Sequence, residues 1–197
     1  KNLKTNHETP VNFNNDLTQF RYPSNRTIVK INESKRKHKL SPTGYSNLVL
    51  ASDNLGQQKN LVDPDGNHIS FAPRSKNLIE SSFTVNVNDL EEQCKFYTEI
   101  MEFERIKENL YRVGDCFIHV KKSNVKYSGH WVDLGFRYFT LHVKNVDEVF
   151  NQIVSRGAEI GEKPYAIGDI AKISFVRDPN GNWIEVAQRA SLAGSWE

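Results

Sequence analysis

Ile173-Ser-Phe-Val-Arg-Asp-Pro-Asn-Gly-Asn-Trp-Ile-Glu-Val-Ala187 is the stretch on which the fold turns. Two alternating segments flank Asp178-Pro-Asn-Gly-Asn182. Pro179 fixes its own φ, and an Asn-Gly pair supplies the positive φ of a tight turn, so the stretch reads as a hairpin. Neighbours on a strand point to opposite faces. If Ile184 and Val186 face a core, Glu185 faces whatever the sheet encloses. A carboxylate there asks for water, a cationic partner or a metal.

The same turn occurs earlier. Leu61-Val-Asp-Pro-Asp-Gly-Asn-His-Ile-Ser-Phe71 repeats the hairpin 115 residues upstream (178 − 63), with Ser70 at the place of Glu185. A shorter period lies inside this one. Phe83-Thr-Val-Asn-Val87 alternates as a strand, and Asp89 with Glu92 forms a capping-box pattern. Leu90, Cys94, Tyr97 and Met101 then make one helical stripe. Short strands follow near 103–107, 109–113 and 116–121. Phe139-Thr-Leu-His-Val143 restarts the pattern 56 residues on (139 − 83), with Asn145 as cap and Val146, Val149, Phe150 and Ile153 as stripe. Strands near 159–162 and 169–177 lead into the opening hairpin. These are two β-α-β-β-β units.

The rest of the chain is less regular. Residues 1–25 are rich in Asn, Lys and Thr and are expected to be irregular. Thr27–Ile31 and Tyr45–Ala51 read as strands, the basic run Lys35–Lys39 as a solvated loop, and 72–80 as a linker. No helical stripe fits between Ala51 and Asp63, so residues 1–71 look like the tail of an earlier, truncated or decayed pair of units. The domain division expected is therefore 1–79, partial, and 80–197, complete, with half-units about 82–122 and 138–188.

Composition sets outer limits. A net charge of +2 over 197 residues gives no reason to expect nucleic-acid or membrane partners. No apolar run is long enough to span a bilayer as a helix. Cys94 and Cys116 have neither disulfide-framework nor zinc spacing and read as reduced thiols of a cytoplasmic protein, packed between helix and sheet.

Asn88-Asp-Leu-Glu-Glu-Gln-Cys-Lys-Phe-Tyr97, followed by Asp178-Pro-Asn-Gly-Asn-Trp-Ile-Glu185 on a duplicated unit, resembles the vicinal oxygen chelate superfamily. That superfamily holds glyoxalase I, extradiol dioxygenases, methylmalonyl-CoA epimerase, and fosfomycin and bleomycin resistance proteins. The resemblance covers residues 82–188 directly and 61–71 as an echo. It implies an α+β fold of paired βαβββ units, a curved mixed sheet around a cleft, with a degenerate or truncated second module at the N-terminus. In metal-dependent members the cleft holds a divalent ion, here one of iron, manganese, nickel or zinc.

The family's ligand positions fall on Ser82, His119, Tyr138 and Glu185. Only Glu185 keeps the expected identity, with His119 as a second plausible donor; hydroxyls of Ser and Tyr are weak donors at neutral pH. His142 shares the face of Tyr138 but lies about 13 Å further along, at about 3.3 Å per residue. Three readings follow. The first is a protein that binds a small organic molecule without a full metal site. The second is a metal-dependent lyase, isomerase or dioxygenase with Glu185 as catalytic residue and Glu185 and His119 as metal ligands. The third is a structural module without ligand. Expected ligand contacts are Ser82, Asn86, His119, Tyr138, His142 and Trp183. Expected partners are a small-molecule ligand and, as a further candidate, a second copy of the chain. His130 and Trp131, in the loop Ser123–Val132, are placed to cover the cleft, and His68 to lie at the surface.

Overall fold

The computed structural model describes residues 10–24, 26–125 and 127–194. The expectation for residues 1–9 and 25 lies outside these. Strands β1 (Val11–Asn12), β2 (Leu17–Ser24) and β3 (Thr27–Ser34) form a three-stranded antiparallel sheet. β2 corrects the expectation of an irregular segment. Its inward face carries Leu17, Gln19 and Arg21, while Phe20 and Tyr22 sit on the other side. An inward face of Gln and Arg hides the apolar alternation by which a strand is read.

β4 (Tyr45–Ser52), β5 (Lys59–Val62), β6 (His68–Pro73) and β7 (Ser81–Val87) follow, then α1 (Leu90–Lys95) and a π-helical turn over Phe96–Ile100. Asp89 caps α1 by accepting from the backbone N–H of Glu91 and Glu92, at 2.8 and 2.9 Å. β8 (Glu104–Lys107), β9 (Leu110–Val113) and β10 (Cys116–Lys122) complete one βαβββ unit. The second is β11 (Tyr138–His142), α2 (Val146–Ser155), β12 (Glu159–Ile167), β13 (Ala171–Arg177) and β14 (Trp183–Arg189), followed by a short α3 (Ala190–Ala193). No helix among the described residues is long and apolar enough to cross a membrane.

The sheets fix which units face each other. β5-β6-β4-β7-β10-β9-β8 form one seven-stranded sheet and β11-β14-β13-β12 another of four. β7 and β11 therefore lie in different sheets, and the residues expected around one cleft are divided between them. The open edge of β7 is taken by β4, with Tyr45 opposite Val85 and Val49 opposite Ser82. β4, with β5 and β6 beyond it, thus fills the edge of β7 and extends its sheet to seven strands.

The two complete units pack back to back instead. Phe83, Val85, Ile118 and Val120 from one sheet meet Val176, Ile184 and Val186 from the other, with Phe96, Tyr97, Val146 and Phe150 from the helical segments between them. Cys94 and Cys116 lie against this core as free thiols, and burial pushes the Cys116 thiol up to about 11.

The two Asp-Pro-x-Gly-Asn turns act as matching clasps. Asp178 Oδ1 accepts from the N–H of Asn180 and Asn182, and Asp63 Oδ1 from Asp65 and Asn67. The last Asn of each turn then reaches out. Asn182 Oδ1 accepts from Gly44 N–H, just before β4, and Asn67 Oδ1 from Phe136 N–H, just before β11, both at 2.9 Å. Gly44 is required by the approach: a Cβ there would stand 2.5 Å from Asn182 Oδ1 and 2.8 Å from the Asn86 carbonyl oxygen.

Candidate functional site

Each sheet has a concave face opposite its helices, and the strand alternation assigns residues to it. Glu185, Trp183, Tyr138, Thr140 and His142 face one concavity; Ser82, Thr84 and His119 face the other. The expected site residues are thus divided between two places.

The concave face of β11–β14 is filled. The β2–β3 hairpin lies over it with Gln19, Arg21, Lys30 and Asn32 on the inward side of its ladder. Lys30 Nζ forms an ion pair with Glu185, and the Thr140 hydroxyl donates to the same carboxylate oxygen. Glu185 is 1% and Lys30 11% exposed at the side chain. Burial pulls the Lys30 ammonium below its ordinary range, and Glu185 works against that shift. The Tyr138 hydroxyl accepts from Asn32 at 2.9 Å and Gln19 at 3.2 Å. Its pKa is driven up by desolvation and then by the charge of Glu185.

Aromatic rings close the remainder. Trp131 stacks on Phe175 at 4.9 Å and 14° and donates through its indole N–H to Glu162. Trp183 donates to the Gly129 carbonyl and lies 4.9 Å from the His130 ring. The loop holding His130 and Trp131 therefore does cover this face; Lys126 within it lies outside the described residues. His142 is exposed at the rim. Desolvation, then Lys30, Arg189 and Arg21, bring it down to about 4, with Glu185 opposing.

The donor set does not fit the family's metal. Glu185 is committed to Lys30 and Thr140, and Tyr138 is a neutral phenol held by two amides. His119 belongs to the other sheet. Among the described residues no group of three or more His, Cys, Asp or Glu side chains is arranged to hold an ion. Lys30 was missed by the sequence reading. Its only signal was a cation on alternate face to Val29 and Ile31, and nothing local says which face of β3 points inward.

The concave face of the seven-stranded sheet is open. Ser82, Thr84, Ser70 and Val49 floor a cleft of about 430 Å³, walled by Asn60, His68, His119 and Lys121. His119 sits beside Thr84 in the β10–β7 ladder, and Ser70 beside Val49 in the β4–β6 ladder. The Ser70 hydroxyl donates to Asn60 Oδ1 at 2.9 Å. His119 is held below its ordinary range by partial desolvation, then by Lys121 and Lys107. Asn86, expected to contact ligand, donates to the Gly44 carbonyl and the Ser46 hydroxyl and ties β7 to β4. His68 is at the surface as expected, yet it also lines this cleft.

A family model described as Glyoxalase/Bleomycin resistance protein/Dioxygenase superfamily matches residues 81–186, just over half of the chain. The chain belongs to this superfamily. Glyoxalase I from Zea mays superposes with a TM-score of 0.64 at 15% identity, covering 88% of this chain and 79% of that one. A point mutant of the maize enzyme gives 0.66 at 14% identity, covering 88% and 80%. These likenesses establish a shared glyoxalase-like fold of curved, paired units. No curated protein matches the chain.

Proposed function

We propose that this member of the glyoxalase superfamily is a binding protein that takes a small organic molecule into the cleft of its seven-stranded sheet, without the metal of the family's enzymes. The observation that carries this reading is the contrast between the two concave faces. One is occupied by the protein's own Lys30, Gln19 and Asn32; the other presents hydroxyls and imidazoles around about 430 Å³ of open space. That volume is in the range that accommodates small ligands. The free thiols Cys94 and Cys116 support a reducing, cytoplasmic setting.

A thermal-shift screen of small polar metabolites tests the placement. Stabilising compounds should lose their effect in Thr84→Val, which removes the hydroxyl and keeps the shape, and keep it in Glu185→Gln. Stabilisation that survives Thr84→Val and disappears in Glu185→Gln would move the site to the other face and sink the proposal.

A further inference from the structure

Among the described residues lining the open cleft, Lys121 carries the one permanent charge, with imidazole N–H donors beside it. Lys121 and His119 stand two residues apart on the same face of β10, and His68 enters from β6 across the floor. No Asp or Glu lines the cavity among the described residues. Lys107 adds to the field at His119. In the filled concavity the lysine has a carboxylate; here Lys121 has none.

The polar groups of this cleft are also uncommitted. Within the described residues, the side chains of Ser82, Thr84, His68, His119 and Lys121 make no hydrogen bond or ion pair to other protein groups. Ser82 and Thr84 are 5% and 6% exposed, yet neither hydroxyl is among the fully enclosed unpartnered atoms of the described residues. Both open onto the cavity, placed to hydrogen-bond what enters it.

We infer that the ligand of this cleft is a small organic oxyanion, a carboxylate or a phosphate monoester. Its charge is met by the Lys121 ammonium and an N–H of His119. Its neutral polar groups rest on the hydroxyls of Ser70, Ser82 and Thr84. This inference rests on the cleft being the binding site, and it adds the class of ligand. A unit charge met at hydrogen-bonding distance near the surface changes affinity by about five- to tenfold, and salt weakens the effect.

The test is ligand-observed NMR on the purified full chain with three matched probes: 4-hydroxybenzoate, phenyl phosphate and 4-hydroxybenzamide. At least one of the two anions should bind more tightly than the neutral amide, and more weakly at high salt. Lys121→Ala should weaken that anion by about five- to tenfold and leave the amide unchanged. The carboxylate and phosphate arms identify which oxyanion is favoured. If the amide binds as well as the anions and all three are lost in Thr84→Val, the cleft stands and the oxyanion inference falls. If no probe binds, or none responds to Thr84→Val or Lys121→Ala, both fall.

Discussion

Replacing Lys30 by Met should be the most damaging single change on the β2–β3 hairpin. The substitution keeps the aliphatic stem and removes only the ammonium. Glu185, 1% exposed, would then retain a single described partner, the Thr140 hydroxyl. Breaking a buried ion pair from one side costs about 3–5 kcal/mol, because an uncompensated charge stays behind. For a chain of this size each kcal/mol lowers the melting temperature by about 2–4 °C, so a fall of roughly 6–20 °C is expected.

Urea unfolding of wild type, Lys30→Met, Glu185→Leu and the double variant gives the coupling directly. The double variant should recover most of the loss, since apolar groups of similar volume replace such pairs at little cost. A Lys30→Met penalty below about 1 kcal/mol, with no coupling to Glu185, would match a solvent-exposed pair. That result would refute the filled concavity on which the account depends.

The other expectations concern the rim and the clasp. His142 should titrate near 4, against about 6.5 for a free imidazole. Its folded form resists protonation, so the stability it contributes is complete above about 6.5 and is lost as pH falls towards 4. His142→Gln should flatten that part of the pH profile, and an NMR midpoint at or above 6.5 would contradict the field assigned to Lys30, Arg189 and Arg21. Gly44→Ala should cost about 1–3 kcal/mol in chemical denaturation, as overpacking does, because its Cβ meets Asn182 and the Asn86 carbonyl at under 3 Å. An unchanged midpoint would mean the clasp gives way freely.

The units were legible because their signals are local: caps at Asp89 and Asn145, apolar stripes on α1 and α2, alternation on β7 and β11, and the repeated turn at 63 and 178. Strand parity also placed Glu185, Trp183 and Tyr138 on one face. What could not be read was pairing. Any first strand of a βαβββ unit offers the same open edge, and nothing in Phe83–Val87 says that Tyr45–Ser52 will take it before Tyr138–His142 does. The assumption that adjacent units face each other merged two concavities into one. It placed His119 with Glu185 when they lie on different sheets. The same assumption left Lys30 without a role, because its importance comes entirely from what it is folded against.

Metal content of the purified full chain, measured beside that of Glu185→Gln, tests the central claim most directly. The account predicts no stoichiometric iron, manganese, nickel or zinc that depends on Glu185, because Lys30 already supplies the positive charge at that carboxylate. One equivalent of such a metal in the wild type, lost in Glu185→Gln, would contradict it.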